Sequence, residues 1–239
     1  MDTALILGSG PSAPLARSWP RGAFGRIVAI NNAHMIRPDW DECIFPWDFP
    51  QDRQPSPAAG QRLVTEADFV PAQNAFGGFV YGGGTMAFTA AYWVLHAHAP
   101  RVIGFMGCDM HYPRQGRTHF YGQGTPDPLR ADITLQSLEA KSARAMVLAA
   151  MQGIALVNLS DGPTRLVFPR VRPDRIDRAA PASFDEAAAN RALRREAELG
   201  YLVPSGRYWE EIGRLSAVEL RHLDDLWLKA AAPAIRAAA

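Results

Sequence analysis

Cysteine is nearly absent: Cys43 and Cys108 are the only two in 239 residues, each among apolar neighbours. Two isolated thiols cannot build a disulfide framework or a four-thiolate metal site, so buried free thiols in a reducing compartment are expected. Net charge is equally scarce. The 25 Lys and Arg stand against 24 Asp and Glu, a formal +1, which offers no field to hold nucleic acid or an anionic membrane. No run approaches the ~18 apolar residues a membrane span requires. The chain passes almost at once into Ala4–Leu7 without the basic flank and long apolar stretch of an export signal, and the expectation is a cytoplasmic protein with no transmembrane segment. No internal repeat is found, and the G-x-x-x-x-G-K-[S/T] phosphate loop of ATPases is missing.

What is present is enough apolar sequence, 48% of the chain, to bury one substantial core. Ala4–Leu7, Arg26–Ile30, Val102–Met106 and Ile154–Asn158 read as interior strands, spaced widely enough for crossovers and hence for a parallel sheet. Cys43–Phe45 adds a further strand and Phe69–Val70 a weaker one. The proline-dense stretch from Pro46 to Pro57 reads as a surface excursion, in which Phe45, Trp47 and Phe49 either close a pocket or pack the loop. Helices are expected over Thr85–Ala97, over Asp132–Met151, where apolar residues recur at helical spacing, and over Phe184–Leu199 and Ala217–Ala232. Arg170–Pro181 reads as a loose connector. The Arg191, Arg194 and Arg195 cluster reads first as a solvated helical face.

The chemistry-bearing residues gather at the expected strand ends. Gly8-Ser9-Gly10-Pro11-Ser12-Ala13 follows the first strand and fits G-x-G-x-x-[G/A], a turn that lets backbone N–H groups approach a phosphate. The second strand ends in Asn31-Asn32 instead of the acidic residue that holds a nicotinamide cofactor's ribose, which argues against NAD. Both amides can donate to a phosphate or sugar oxygen. Gly82-Gly83-Gly84-Thr85 reads as a glycine-rich turn opening a helix, another place for an anion. Asp109 ends the Val102–Cys108 strand, placed to orient a sugar hydroxyl, bind a metal or cap a turn. His111, Tyr112, His119 and Tyr121 follow. Either histidine can take a proton from a hydroxyl, and a tyrosine O–H can steady a phosphate leaving group. Asp109, His111 and His119 match no strong metal-ligand spacing.

Gly8-Ser-Gly-Pro-Ser12, Ala29-Ile-Asn-Asn32, Gly82-Gly-Gly-Thr-Met86 and Ile103 through Tyr112 together resemble the bacterial sialyltransferases of glycosyltransferase family 42. They also resemble the wider family akin to archaeal 6-hydroxymethylpterin pyrophosphokinases. The resemblance spans roughly Ala4 to Ser160. It implies a modified Rossmann fold, a CMP-linked sugar donor, and transfer without metal or nicotinamide. It also implies donor contacts at Gly8, Gly10, Ser12 and Asn31 or Asn32, a small-residue loop at Gly82–Gly84, and a nucleoside loop at Asn158–Ser160. Ser9 stands where the family has Asn. The phosphate-binding tyrosine falls on His111 or Tyr112, with Tyr121 near the second. The general base falls on His119 or on Gln123.

These readings converge on an α/β, Rossmann-like protein: a mostly parallel sheet with helices on both faces and a helical carboxyl-terminal extension. Residues 1–176 form the nucleotide-binding part and 177–239 a lid, a homo-oligomer interface or a packed extension. The expected activity is a metal-independent glycosyltransferase moving a sugar, sialic-acid-like in the resemblance, from a nucleotide donor to a glycan or other hydroxyl acceptor. Expected catalytic residues are His119, His111, Tyr112, Tyr121 and Asp109. Expected donor contacts are Gly8, Ser9, Gly10, Ser12, Asn31, Asn32, Gly82, Gly83, Gly84, Asn158 and Ser160. The alternatives are a pterin-type diphosphokinase, needing Mg²⁺ near Asp48 and Asp109, and a non-catalytic nucleotide or glycan binder.

Overall fold

The computed structural model describes residues 2–112, 116–123 and 130–238. Six parallel strands form its sheet: β1 (Thr3–Leu7), β2 (Arg26–Ile30), β3 (Glu42–Ile44), β4 (Arg62–Val64), β5 (Val102–Met106) and β6 (Ala155–Asn158), in the order β4-β3-β2-β1-β5-β6. Every residue of β1 and β5 is buried, because both sheet faces are covered and alternate side chains feed separate cores. Ala4, Ile6, Val28, Ile30 and Phe105 point into one core. Leu5, Leu7, Ile27, Ala29 and Met106 point into the other.

The two covers differ. The first core lies beneath α1 (Glu66–Asn74), α3 (Met86–Ala97), α4 (Leu138–Met151), α5 (Glu186–Leu199) and α6 (Ala217–Ala238), with the single turn α2 (Phe79–Gly82) beside them. The second lies beneath short 3-10 helices, Ala13–Ser18, Asn31–Met35 and Pro173–Arg178. The arrangement is a Rossmann-like α/β fold with a helical carboxyl-terminal extension. Strand order reverses at β1: the chain runs outward through β2, β3 and β4, crosses back through α1 to α3, and resumes on β1's other edge as β5. β1 is thus the switch point of the topology, and the region outside the strands' carboxyl ends at such a point is where open α/β sheets bind ligands. No helix among the described residues is long and apolar enough to cross a membrane.

Several expected elements move. Phe69–Val70 is not a strand but lies inside α1, because Thr65 and Asp68 form a reciprocal capping box that starts the helix just after β4. The helix expected from Asp132 is interrupted. The Asp132 carboxylate accepts from Thr134 N at 2.8 Å and caps a 3-10 turn over Ile133–Leu135, and Ser137 then caps α4 by accepting from Ala140 N. The connector at 170–181 is tied down: Ile176 sits in the second core, and Arg101 donates to the carbonyls of Asp177 and Ala179. Arg195 pairs with Glu198 and Glu219 at the helix surface. Both thiols are free and buried, and burial pushes the Cys43 thiol up to about 12.

Buried charge joins α4 to the terminal helices. Arg144 grips Glu196 of α5 through two parallel bonds of 2.8 Å, while its third nitrogen donates to Tyr92 O–H at 2.7 Å. Trp227 of α6 donates to the same carboxylate at 2.8 Å. One turn away, Lys141 pairs with Asp224 of α6 at 2.8 Å, both nearly inaccessible. A buried pair adds little net stability, but removing one partner leaves an uncompensated charge. Glu196→Ala should therefore destabilise the fold by about 3–5 kcal/mol, read as a lowered denaturant midpoint. A loss under 1 kcal/mol would mean that Arg144 finds water instead.

Candidate functional site

The first glycine loop leaves β1 against the end of β5. Gly8 N donates to Met106 O and Gly10 N to Gly107 O, each at 2.8 Å. A Cβ on Gly10 would stand 2.8 Å from Gly107 O, and one on Gly8 would stand 2.7 Å from Cys108 Sγ. Gly107 itself adopts φ +69°, a conformation other residues resist. These glycines therefore have a use inside the protein, letting two strand-end loops touch. Ser9 offers its carbonyl to Phe120 N at 2.9 Å. Ser12 is half-buried and stands before the 3-10 helix without capping it by its side chain.

Asn31, at the end of β2, holds φ +51°, a left-handed conformation that costs a non-glycine residue on the order of 1 kcal/mol. Its side-chain oxygen is buried and has no hydrogen-bond partner. Asn32 is buried alongside. At the neighbouring strand ends, Asn158 Nδ2 donates to Asp109 Oδ1 at 3.3 Å, and its Oδ1 accepts from Ser160 N at 2.9 Å. Ser160 Oγ accepts from Gly107 N at 3.3 Å. Asp109, Asn158 and Ser160 thus tie β6 to the loop of β5, whereas the Asn31 side-chain oxygen has no such partner.

The histidine loop folds back over this edge. His119 is only 9% exposed and bridges to Gly122. Its ring stacks on Tyr121 at 5.0 Å, lies 6.1 Å from Tyr112, and shares a 2.9 Å hydrogen bond between Nδ1 and Thr118 Oγ1. Burial lowers its pKa below the ordinary 6.5, so the imidazole is neutral at physiological pH, as a base must be. Tyr121 is exposed beside it. Two alternatives separate from the stack. His111 is exposed, and Gln123 is exposed with its amide donating to Gly116 O at 3.1 Å.

A cavity of about 670 Å³ opens at the same sheet edge on the α-helical side. Of the expected contacts it contains only Gly84, followed by Thr85 and Met86 at the start of α3. Gly82 and Gly83 turn inward instead, where added Cβ atoms would meet Tyr92 at 2.8 Å and Lys141 at 3.1 Å. Gly84 is clamped at both ends. Its N–H donates to Thr134 Oγ1 at 2.9 Å, and its carbonyl accepts from Arg130 at 2.8 Å. Asp132 accepts from Thr134 Oγ1, Arg130 and Tyr208 O–H, the last at 2.6 Å. Burial works to raise the Asp132 pKa, but these bonds outweigh it and hold the carboxyl below its usual range. Burial, with the bond to Asp132, pushes the Tyr208 hydroxyl up to about 12. Of the loop aromatics, Phe45 and Phe49 pack together at 5.4 Å, whereas Trp47 lines the cavity and stays 74% exposed.

Sequence reasoning did not find Arg130, Asp132 or Tyr208 as site residues. The Asp132-x-Thr134 spacing is a capping signal that marks the position, but nothing local connects it to Tyr208, 76 residues on. Among the described residues no three His, Cys, Asp or Glu side chains converge as metal ligands do. Comparison with known protein families, curated proteins and solved structures gives no match for this chain.

Two outcomes follow. Gly10→Ala should lower stability measurably without any ligand, through the clash with Gly107 O, and an unchanged denaturation midpoint would show that the loop can yield. His119 binds its proton more weakly folded than unfolded, so between pH 6.5 and its lower folded pKa the unfolded chain holds more protons. Stability is then full above pH 6.5 and falls as pH drops through that window. Denaturation of wild type and His119→Gln across pH 5–8 should show a shallower acid-side loss in the variant, and identical profiles would exclude the effect.

Proposed function

We propose that the protein is a nucleotide-sugar glycosyltransferase, its donor lying along Gly8–Ser12 and Asn31/Asn32. The Rossmann-like fold accords with nucleotide or ligand binding in general; sugar transfer is the reading supported chiefly by one observation. The bond from Phe120 N–H to Ser9 C=O joins the loop that carries the buried, neutral His119 to the glycine loop, more than a hundred residues away in sequence. A proton acceptor and the glycine-rich turn proposed to hold the donor then share one sheet edge. Asn31, strained and with an unanswered oxygen, supports a ligand hydroxyl or amide at that point.

In this reading an acceptor hydroxyl attacks the anomeric carbon, forming the new C–O bond as the bond to the nucleotide phosphate breaks. His119 takes the hydroxyl proton, and the departing phosphate leaves with its electron pair. Tyr112 or Tyr121, flanking the imidazole, donates to the developing charge.

The test begins with calorimetry against CMP-, UDP- and GDP-sugars and ATP, then single-turnover transfer with the donor that binds. His119→Ala should slow transfer by about 10²–10⁴-fold while leaving donor affinity within about twofold. Wild-type transfer by His119→Ala at every pH would reject this base. Mg²⁺-dependent ATP turnover would favour a diphosphokinase, and donor binding without turnover a binding protein.

A further inference from the structure

The cavity beside α3 is built for something other than a nucleotide. Its volume, about 670 Å³, suits a drug-sized molecule. Much of its wall is apolar, from Phe69, Val70, Phe79, Met86, Ile133 and Ile212. Its charges offset one another: Arg130 and Arg207 stand against Asp48, Glu66 and Asp132, with Arg130 bonded to Asp132 and Arg207 3.7 Å from Glu210. Such a wall has no surplus positive field to attract a phosphate or carboxylate.

Two indoles stand at its rim, Trp47 at 74% and Trp209 at 49% exposure. Large rings left in water next to an apolar cavity mark a binding surface. Trp209 is also held in place. It packs edge-on against Tyr208 at 5.4 Å, and Tyr208 is fixed through Asp132 and Arg130 to the Gly84 loop that forms the floor. Floor and rim are one hydrogen-bonded unit, so the anchor is positioned before any ligand arrives. At the floor, Thr85 precedes α3 without capping it by its side chain, which leaves a polar patch suited to a neutral oxygen.

We infer that this cavity binds an uncharged alcohol with an apolar body, its hydroxyl end toward Thr85 and its alkyl or aryl body against Trp209 and Trp47. The assignment does not rest on the transfer reading: neither His119 nor Gly8–Ser12 lines this cavity, and as a binding site it stands separately. A free sugar would leave the Phe, Val, Met and Ile walls without a partner. A fatty or aryl anion would meet the cavity's carboxylates.

Calorimetry on the full chain, with neither nucleotide nor turnover, tests it using hexyl β-D-glucoside, phenyl β-D-glucoside, glucose and hexanoate. At least one glucoside should bind about tenfold or more tighter than glucose, and the glucoside should exceed hexanoate. The better glucoside tells an alkyl from an aryl body. Trp209→Ala, at an exposed position, should weaken that glucoside about tenfold with circular dichroism unchanged, and Trp209→Phe should restore most of the affinity. Equal affinity for glucose and both glucosides, preference for hexanoate, or wild-type glucoside affinity in Trp209→Ala would overturn the assignment. Glucoside binding without sugar transfer from any donor would sink the transferase reading and leave this site standing.

Discussion

The backbone contact between the loops leaving β1 and β5 sets the geometry of everything around it. β1 pairs with β2 on one edge and with β5 on the other, and at its carboxyl end two 2.8 Å bonds join Gly8 and Gly10 to Met106 and Gly107. Side chains are excluded from that contact on both sides. The approach fixes the Ser9 carbonyl, which receives the Phe120 N–H and so carries His119. It also fixes Gly107 N, which anchors Ser160 and through it Asn158 and Asp109. A glycine pattern that reads as a phosphate cradle is thus also the joint on which two other loops hang.

A second, independent joint ties the terminal helices to the sheet. Arg144–Glu196 and Lys141–Asp224 sit between α4, α5 and α6, where burial makes each charge costly unless paired. Lys141 answers only one oxygen of Asp224; the other is buried without a partner, and burial raises that carboxyl above its usual range despite the lysine. The two pairs join α4 to α5 and to α6. Their consequence at the sheet edge is the placement of Tyr208 and Trp209, which lie between α5 and α6 and complete the cavity wall.

The two chemical environments at the edge differ in the charge state that they favour. Around His119, aromatic rings and burial favour the neutral imidazole. Around Asp132, donors from three residues, Thr134, Arg130 and Tyr208, favour the charged carboxylate although it too is buried. Desolvation acts on both, but only Asp132 has partners that reverse it. One group is therefore able to accept a proton, and the other is committed to holding the Gly84 loop and Tyr208.

The sequence by itself determined the interior strands, their parallel direction, the chief helices and the loops at the strand ends, because these depend on apolar runs, spacing and glycine turns that are local along the chain. β1, β2, β5 and β6 lie where their apolar runs place them, and His119 falls on the loop its neighbours suggested. Tertiary structure alone decided the rest. Phe69–Val70 became helix because a capping box outweighed two apolar residues, and Gly82 and Gly83 turned inward because Tyr92 and Lys141 occupy the space around them. His111 and His119, eight residues apart, were separated into an exposed ring and a buried one by packing against Tyr121. The cavity's clamp unites Gly84, Arg130, Asp132 and Tyr208 across as many as 124 positions, and hydrogen bonds over such separations leave no periodic trace in a sequence.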